Sequence, residues 1–262
     1  MGAAARGSMG IVSLILIAVS ILFMFFVILS GVSHRTPFDK TYFLKADTSK
    51  IPGARSISQW TYFYVCGEGN NNCGSPVPAL PVGYAWLGGS AEAPHGLVGS
   101  HGKHTTSFHY YYLWRFGWVF YLLALLTIVL AFFTAIVAPC SRLASGISGV
   151  LVLNALFWFT LAASMMTAQF VQMRNEFHHN GLMAKLGSYA FGFTWAAWAC
   201  MFIAAILLFT GVGQKSPRND PRSPQTDGPH RGGFFRRGVG KRSTRGSFID
   251  NESQRRVKDE YA

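Results

Sequence analysis

Four long stretches of uncharged, mostly apolar residues constrain this chain more than any other feature. They run over residues 11–30, 117–138, 147–170 and 189–212, and none contains Asp, Glu, Lys, Arg or His. A helix needs about 20 mostly apolar residues to cross the hydrocarbon layer of a bilayer, which is roughly 30 Å thick. The sequence therefore predicts an all-α membrane protein, a bundle of four transmembrane helices.

The first stretch has a second interpretation, as a cleaved signal peptide. Arg6 precedes it, and the small residues Ser30 and Gly31 lie at its end. The apolar part of a signal peptide is only about 7 to 15 residues long, however, and this stretch is longer. Its length favours an uncleaved membrane anchor.

The basic charge of the chain bears on its orientation. The net charge is +12, and after Val212 the chain has twelve Lys or Arg against six Asp or Glu. Short basic segments stay on the cytoplasmic side of a membrane. Arg6 and Arg142 agree with the tail, whereas Arg174 and Lys185 weakly oppose it. The predicted cytoplasmic segments are 1–10, 139–146 and 213–262, and the predicted extracellular segments are 31–116 and 171–188.

Two cysteines, Cys66 and Cys73, fall in the predicted extracellular loop. The stretch from Trp60 to Cys66 mixes aromatic and β-branched residues, which is typical of a strand, and turn-forming residues lead on to Cys73. An even pair of cysteines on the oxidising side indicates a disulfide. The alternative is a metal site, but two cysteines without placed histidines make a poor zinc ligand set. No cofactor is predicted.

Small residues recur at every fourth position of the last apolar stretch. Residues at this spacing lie on one face of a helix, and small side chains let helix backbones approach closely in lipid. The pattern predicts a helix contact, either within one chain or between chains. Its members are Ser188, Gly192, Ala196, Cys200 and Ala204.

Polar groups inside the apolar stretches are few. Asn154 is the most polar residue near the middle of the third stretch, and it predicts a hydrogen bond to a neighbouring helix, worth about 1 kcal/mol. The absence of ionisable side chains argues against a pump or ion-coupled transporter, although a pore lined by backbone or hydroxyl groups stays open. No Ser/His/Asp set, carboxylate pair or phosphate-binding loop occurs in a credible context, so no enzyme is predicted.

The segment after Val212 is rich in Pro, Gly, Ser and Arg and lacks apolar periodicity, which predicts disorder. A basic cluster at a cytoplasmic membrane face attracts anionic lipid by about 1 kcal/mol per charge. The alternative is a solvated tail whose charges only set the topology. Phosphorylation of Ser243, Thr244 or Ser247 would weaken lipid contact by lowering the positive charge. The side chains predicted to contact lipid are Phe234, Phe235, Arg236, Arg237, Lys241, Arg242 and Arg245.

Two further features suggest modification or titration. Cys140 lies at the inner end of the second stretch, a suitable position for palmitoylation, although a free thiol is the alternative. Seven of the eight histidines fall in the predicted extracellular segments. Unperturbed histidine titrates near pH 6.5, so a pH response of this side is a hypothesis. No nucleic-acid partner is predicted, because the basic tail follows a membrane segment.

Short motifs between Ala46 and Pro81 carry a family resemblance. They are Ala46–Ala54 with the sequence ADTSKIPGA, Gln59-Trp60-Thr61, Cys66, Asn72-Cys73 and Pro78-Ala-Leu-Pro81. With these motifs the chain resembles the fungal Sur-seven/PalI family of four-span plasma-membrane proteins. The first outer loop of that family has a claudin-like signature of a tryptophan and a cysteine pair. The matching residues here are Trp60, Thr61, Cys66 and Cys73.

The resemblance implies a claudin-like bundle with a disulfide-braced, partly β extracellular loop. It also implies a non-enzymatic scaffold at eisosomes, with effects on cell-wall architecture, endocytosis and sporulation. The alternative function is a PalI-type component of ambient pH sensing and signalling. The resemblance implies other eisosome-associated membrane proteins as partners, in addition to the membrane lipids expected at the basic tail and a second copy of the chain at the small-residue face.

Overall fold

A computed structural model describes residues 3–33, 35–138 and 142–213, without the side chains of residues 3–7, 142, 212 and 213. Its helices are α1 (Ala3–Ile28), α3 (Phe108–Val137), α4 (Arg142–His179) and α5 (Ser188–Gly213), and the short segment α2 (His101–His104) is a turn with left-handed backbone at Gly102 and Lys103. The four long helices each contain a stretch long and apolar enough to cross a membrane. The predicted four-helix membrane bundle is therefore confirmed.

The long helices pack closely through small side chains. Helix α1 lies along α5 and α3 lies along α4, while α4 also contacts α5 and α1 contacts α3. Small residues at such contacts let the backbones approach. The opposite helix faces expose large apolar side chains such as Leu126 and Phe133, as a lipid-facing surface does. The buried alanines include Ala124, Ala131 and Ala135 in α3, Ala155 and Ala162 in α4, and Ala190, Ala197 and Ala204 in α5.

An antiparallel sheet lies at one end of the bundle, which we call the loop side. Its strand order is β3-β2-β1-β4. Leu44 of β1 pairs with Trp60 of β2 on one side and with Leu186 of β4 on the other. Because β4 lies between α4 and α5, the sheet joins the long loop to the short connection. The strands are β1 (Leu44–Asp47), β2 (Ile57–Trp60), β3 (Val65–Cys66) and β4 (Ala184–Leu186).

The stretch from Trp60 to Cys66 is not one continuous strand, in contrast to the sequence-based expectation. Strand β2 ends at Trp60 and β3 begins at Val65. Between them, the Thr61 N–H donates to the Tyr64 carbonyl oxygen at 2.9 Å, and the Tyr64 N–H donates to the Thr61 hydroxyl oxygen at 3.1 Å. A threonine hydroxyl that bonds locally to the backbone competes with strand pairing. The stretch therefore folds as a hairpin, and the predicted partly β loop is confirmed.

Aromatic side chains join the sheet to the bundle. Phe43 precedes β1 and lies against Phe170 of α4 and Trp114 of α3, with ring centroids 4.8 and 5.6 Å away. Tyr62, in the turn after β2, is fully buried, and its hydroxyl donates to the Trp118 carbonyl oxygen at 3.0 Å. The loop side of the bundle and the sheet thus share one continuous core.

Candidate functional site

Trp60 lies at the centre of the loop module, which comprises residues 35–107 and 180–187. Its side chain is 2% exposed, and its ring packs against Trp86 and Phe177 with centroid distances of 6.3 and 5.9 Å. The indole N–H donates to the Val82 carbonyl oxygen at 3.0 Å. A large buried ring whose polar atom is satisfied acts as a packing anchor. Trp60 therefore holds the second half of the loop to strand β2 and to the end of α4.

Thr61 closes the turn after β2 and also faces the end of the first helix. Gly31, three residues after α1, has a φ of +82°, which an L side chain rarely adopts. A Cβ at this position would lie 3.0 Å from the Thr61 hydroxyl, 3.2 Å from the Tyr64 ring and 3.3 Å from the Cys66 sulfur. Only glycine fits here, so the exit of α1 is fixed directly against the signature residues.

Cys66 and Cys73 form a disulfide, as predicted. Cys66 ends β3, and the Gly74 N–H donates to the Val65 carbonyl oxygen at 3.0 Å. The intervening residues are therefore closed into a loop by both a covalent bond and a backbone hydrogen bond. Closing so short a loop stabilises the folded state by about 2–3 kcal/mol in the chain-entropy description.

Asn70 forms a buried polar contact that the sequence analysis did not identify. Its backbone N–H donates to the Gln59 side-chain oxygen at 2.9 Å. Its side-chain amide donates to the Phe38 and Thr41 carbonyl oxygens at 2.6 and 2.9 Å. Asn70 has a φ of +53°, a conformation that asparagine tolerates better than most residues. The asparagine-rich turn before Cys73 was the available signal, and Asn70 ties that turn to the segment before β1.

The outward face of the sheet bears charged side chains. Lys45 of β1 forms an ion pair with Glu68. Asp47, at the end of β1, accepts a hydrogen bond from the Ser49 N–H at 3.0 Å. Hydrogen bonds from the side chain and backbone of Ser49 hold the pKa of the Asp47 carboxyl below its ordinary value. In the part of the chain that the structure describes, no three His, Cys, Asp or Glu side chains are grouped to hold a metal ion.

The small-residue stripe of α5 winds slowly around the helix, so its two ends have different surroundings. Four residues turn a helix by about 400°, so each member is displaced by about 40° from the last. Ser188 and Gly192 are exposed, Ala196 and Cys200 are half-buried, and Ala204 is buried. Only the far end of the stripe packs fully within the chain. Contact of its exposed end with another chain stays a prediction.

Several predicted sites lie outside the described residues, so their lipid contacts and modifications stay predictions. They are the palmitoylation candidate Cys140, the tail residues Phe234, Phe235, Arg236, Arg237, Lys241, Arg242 and Arg245, and the phosphorylation candidates Ser243, Thr244 and Ser247.

Four apolar helices capped by a small antiparallel sheet, a buried tryptophan and a disulfide define the class of protein. It is a four-span membrane protein of claudin-like plan. More particularly, the chain belongs to the SUR7/PalI family, whose model matches residues 9–207.

Named relatives agree with this family. The chain is 34% identical over 204 residues to Protein SUR7 of Candida albicans, which covers 76% of this chain and 73% of the relative. It is 26% identical over 208 residues to Protein SUR7 of Saccharomyces cerevisiae, covering 77% of this chain and 67% of the relative. It is also 28% identical over 192 residues to Uncharacterized plasma membrane protein YNL194C of Saccharomyces cerevisiae, covering 71% of this chain and 62% of the relative.

Proposed function

We propose that this protein is a non-enzymatic scaffold that organises eisosome-type domains of the plasma membrane. Effects on cell-wall architecture, endocytosis and sporulation would follow from that role. Membership of the SUR7/PalI family and a relative named as a plasma membrane protein support this proposal. A membrane scaffold acts through lateral association of its helices, so the helix surfaces that one chain leaves uncovered are the relevant ones.

The exposed position of the Asn154 side chain on α4 is the single observation that carries the proposal. The side chain lies on the exposed face of α4, where Val150 and Phe157 are 60% and 56% exposed. It forms no hydrogen bond to any residue that the structure describes. An amide left without a partner in hydrocarbon costs several kcal/mol, and a helix–helix contact removes that cost. A carboxamide both donates and accepts, so Asn154 of a second copy is a complementary partner across a twofold axis.

The exposed end of the α5 stripe gives independent support for lateral association. Ser188, Gly192 and Ala196 form the floor of an open groove of about 360 Å³, and Phe193 and Phe23 of α1 form its walls. A Cβ at Gly192 would meet nothing within 4 Å. A small-residue floor between aromatic walls lets another helix approach closely. Other eisosome-associated membrane proteins are candidate occupants of this groove.

The proposed orientation places both termini in the cytoplasm. The start of α1 and the end of α5 lie together opposite the sheet, since the Thr210 hydroxyl lies 3.9 Å from the Met9 sulfur. In the sequence, the basic segment 213–262 continues from the end of α5. Its attraction to anionic lipid and palmitoylation of Cys140 would then act at the same membrane face, which is where a scaffold meets the cell cortex.

Imaging of a fluorescently tagged protein in fungal cells tests the scaffold. We expect stable cortical patches, which disperse in Asn154→Leu and persist in Asn154→Gln because glutamine keeps the amide. Thr127→Val is the matched control, since the Thr127 hydroxyl donates to the Leu123 carbonyl oxygen of its own helix at 2.8 Å. Patches that are unchanged in Asn154→Leu would contradict the proposal. An evenly spread protein that recruits signalling proteins only at alkaline pH would favour the PalI-type function.

A further inference from the structure

We propose that a cationic cleft in the loop module binds an oxyanion carried by a sugar, either a phosphate ester or a carboxylate. The cleft has a volume of about 410 Å³ and lies between the disulfide-braced hairpin and the second half of the loop. The polar side chains that line it are those of Arg55, Ser75, Tyr84 and Lys103, and Val65 and Val77 contribute to an apolar wall. This cleft is separate from the helix surfaces to which the scaffold role is assigned.

The charges of the cleft have one sign. Arg55 and Lys103 line it, and no Asp or Glu does so among the described residues. The ion pair that the structure shows joins two other residues, Lys45 and Glu68. The Nε of Arg55 is buried without a hydrogen-bond acceptor among the described residues. A buried donor without a partner is unfavourable, and a bound oxyanion would supply the missing acceptor.

The backbone around Arg55 is held rigidly before any ligand binds. The Thr48 hydroxyl lies 2.7 Å from the Arg55 carbonyl oxygen and 2.8 Å from the Ser58 hydroxyl. Two residues earlier, Gly53 has a φ of +76°, and a Cβ there would lie only 2.7 Å from the Gly88 Cα. Two loop backbones therefore touch directly beside the cleft. A site fixed in this way loses little entropy when a ligand binds.

Lys103 reaches the cleft from a strained turn. Its φ is +60°, and the flanking Gly102 and His104 have φ values of +58° and +61°. Left-handed backbone at a residue other than glycine is strained, and such strain concentrates at functional sites. The Thr105 hydroxyl donates to the Gly102 carbonyl oxygen at 2.6 Å and holds the turn. As a result, the Lys103 ammonium lies 5.7 Å from the centre of the Tyr84 ring, at the edge of the cleft.

The shape and chemistry of the cleft point to the class of ligand. A guanidinium presents paired N–H groups that match two oxygens of a phosphate or a carboxylate. The cleft, at about 410 Å³, is larger than one such group and falls in the range of small-molecule sites. Val65, Val77 and Leu80 give it an apolar wall against which the C–H face of a sugar ring fits. A sugar phosphate and a uronic acid share this combination of oxyanion and ring.

Binding is tested with the full-length protein in nanodiscs of phosphatidylcholine, which add no net lipid charge. Titration calorimetry at low salt would use mannose 6-phosphate, glucuronate and neutral mannose as probes. We expect saturable binding of the phosphate, the uronate or both, no binding of mannose at the same concentrations, and weaker binding at high salt because charge interactions are screened. Comparison of the two anions identifies which oxyanion is preferred.

Substitutions of the two cationic cleft residues test whether the ligand binds in the cleft. Arg55→Gln and Lys103→Gln should each weaken binding about tenfold or more, because each removes a charge-assisted hydrogen-bond donor. Lys185→Gln removes an exposed cation of β4 outside the cleft and should leave affinity unchanged. Arg55→Lys keeps the positive charge but lacks the paired N–H groups of the guanidinium. It replaces Arg55→Gln in the test if that variant fails to fold, and it too should bind the ligand more weakly. The proposal would be overturned if mannose bound equally well or if the native protein showed no saturable binding. It would also be overturned if the cleft variants kept their affinity or if Lys185→Gln lost as much affinity as they do.

Discussion

The rings of Phe43 and Phe170 are stacked almost in parallel, with an interplanar angle of 2° and centroids 4.8 Å apart. Phe43 precedes β1 and Phe170 belongs to α4, so this pair joins the sheet to the bundle. The two side chains are 1% and 2% exposed. Because aromatic stacking adds to the free energy of burial, the pair contributes strongly to the position of the loop module on the helices.

Phe43→Ala should lower the free energy of unfolding by about 3–5 kcal/mol, because it leaves a cavity beneath the sheet. Thermal unfolding in detergent measures the change. Phe108→Ala is the matched control, since Phe108 is 66% exposed and its loss should have little effect. Equal unfolding temperatures for the two variants would contradict the role of the stacked pair.

Trp60→Phe should destabilise the loop module even though most of the ring is kept. The substitution removes the hydrogen bond to the Val82 carbonyl oxygen and leaves that acceptor buried, at a cost of about 1–3 kcal/mol. Limited proteolysis of the loop would detect the loosening. Trp195→Phe, on a side chain that is 42% exposed, should leave the protease resistance unchanged. Resistance equal to the native protein in Trp60→Phe would count against an anchoring role for the indole N–H.

Replacing Cys66 and Cys73 together by serine should lower the free energy of unfolding by about 2–3 kcal/mol, through the greater entropy of the unfolded chain. A reductant should lower the unfolding temperature of the native protein but not of this double variant. Cys200→Ser serves as the control, because Cys200 is a half-buried free thiol. The same response to reductant in the native protein and the double variant would show that the bridge does not stabilise the fold.

Gly31→Ala should be more destabilising than Gly181→Ala, although both glycines have positive φ values of +82° and +69°. Both variants meet backbone strain of about 1–2 kcal/mol. Only at Gly31 would the new methyl group also crowd Thr61 and Cys66, whereas nothing lies within 4 Å of a Cβ at Gly181. The difference between their unfolding temperatures measures the crowding, and no difference would contradict the close contact between α1 and the signature residues.

Stability should fall at alkaline pH partly through Tyr62. Burial, with a smaller effect from Tyr121, raises the pKa of Tyr62 well above its ordinary value of 10.0. The folded state therefore keeps a proton that the unfolded state releases. This contribution is complete below pH 10 and is lost as the pH rises towards the folded pKa, at about 1.4 kcal/mol per pH unit.

Tyr62→Phe should reduce that alkaline loss of stability. At neutral pH it should cost about 1 kcal/mol, since the hydrogen bond to the Trp118 carbonyl oxygen is removed. Unfolding free energies measured at several pH values from neutral pH to about pH 11 give both effects. An identical pH slope in the two proteins would mean that Tyr62 does not hold its proton through burial.

Hydropathy and cysteine placement were sufficient to predict the bundle and the disulfide, because both depend on local composition and on topology. The strands β1 and β4 could not be predicted in this way, since an apolar–charged alternation over only 4 and 3 residues is too short to identify a strand. Their pairing joins segments that are far apart in sequence. The spacing of the small residues in α5 is visible in the sequence, but four residues turn a helix by about 400°, which carries the two ends of the stripe to different surroundings. Asn70 and Arg55 depend on contacts between loops, which no sequence spacing reveals.

Strand β4 has a mechanical consequence. The Asp47 N–H donates to the Met183 carbonyl oxygen at 2.8 Å, and the Gly187 N–H donates to the Phe43 carbonyl oxygen at 3.0 Å. These bonds fasten the connection between α4 and α5 to the chain that leaves α1. The loop-side ends of α1, α4 and α5 are thereby connected through one sheet. A load or ligand that displaces the sheet would therefore act on the loop-side ends of α1, α4 and α5 together.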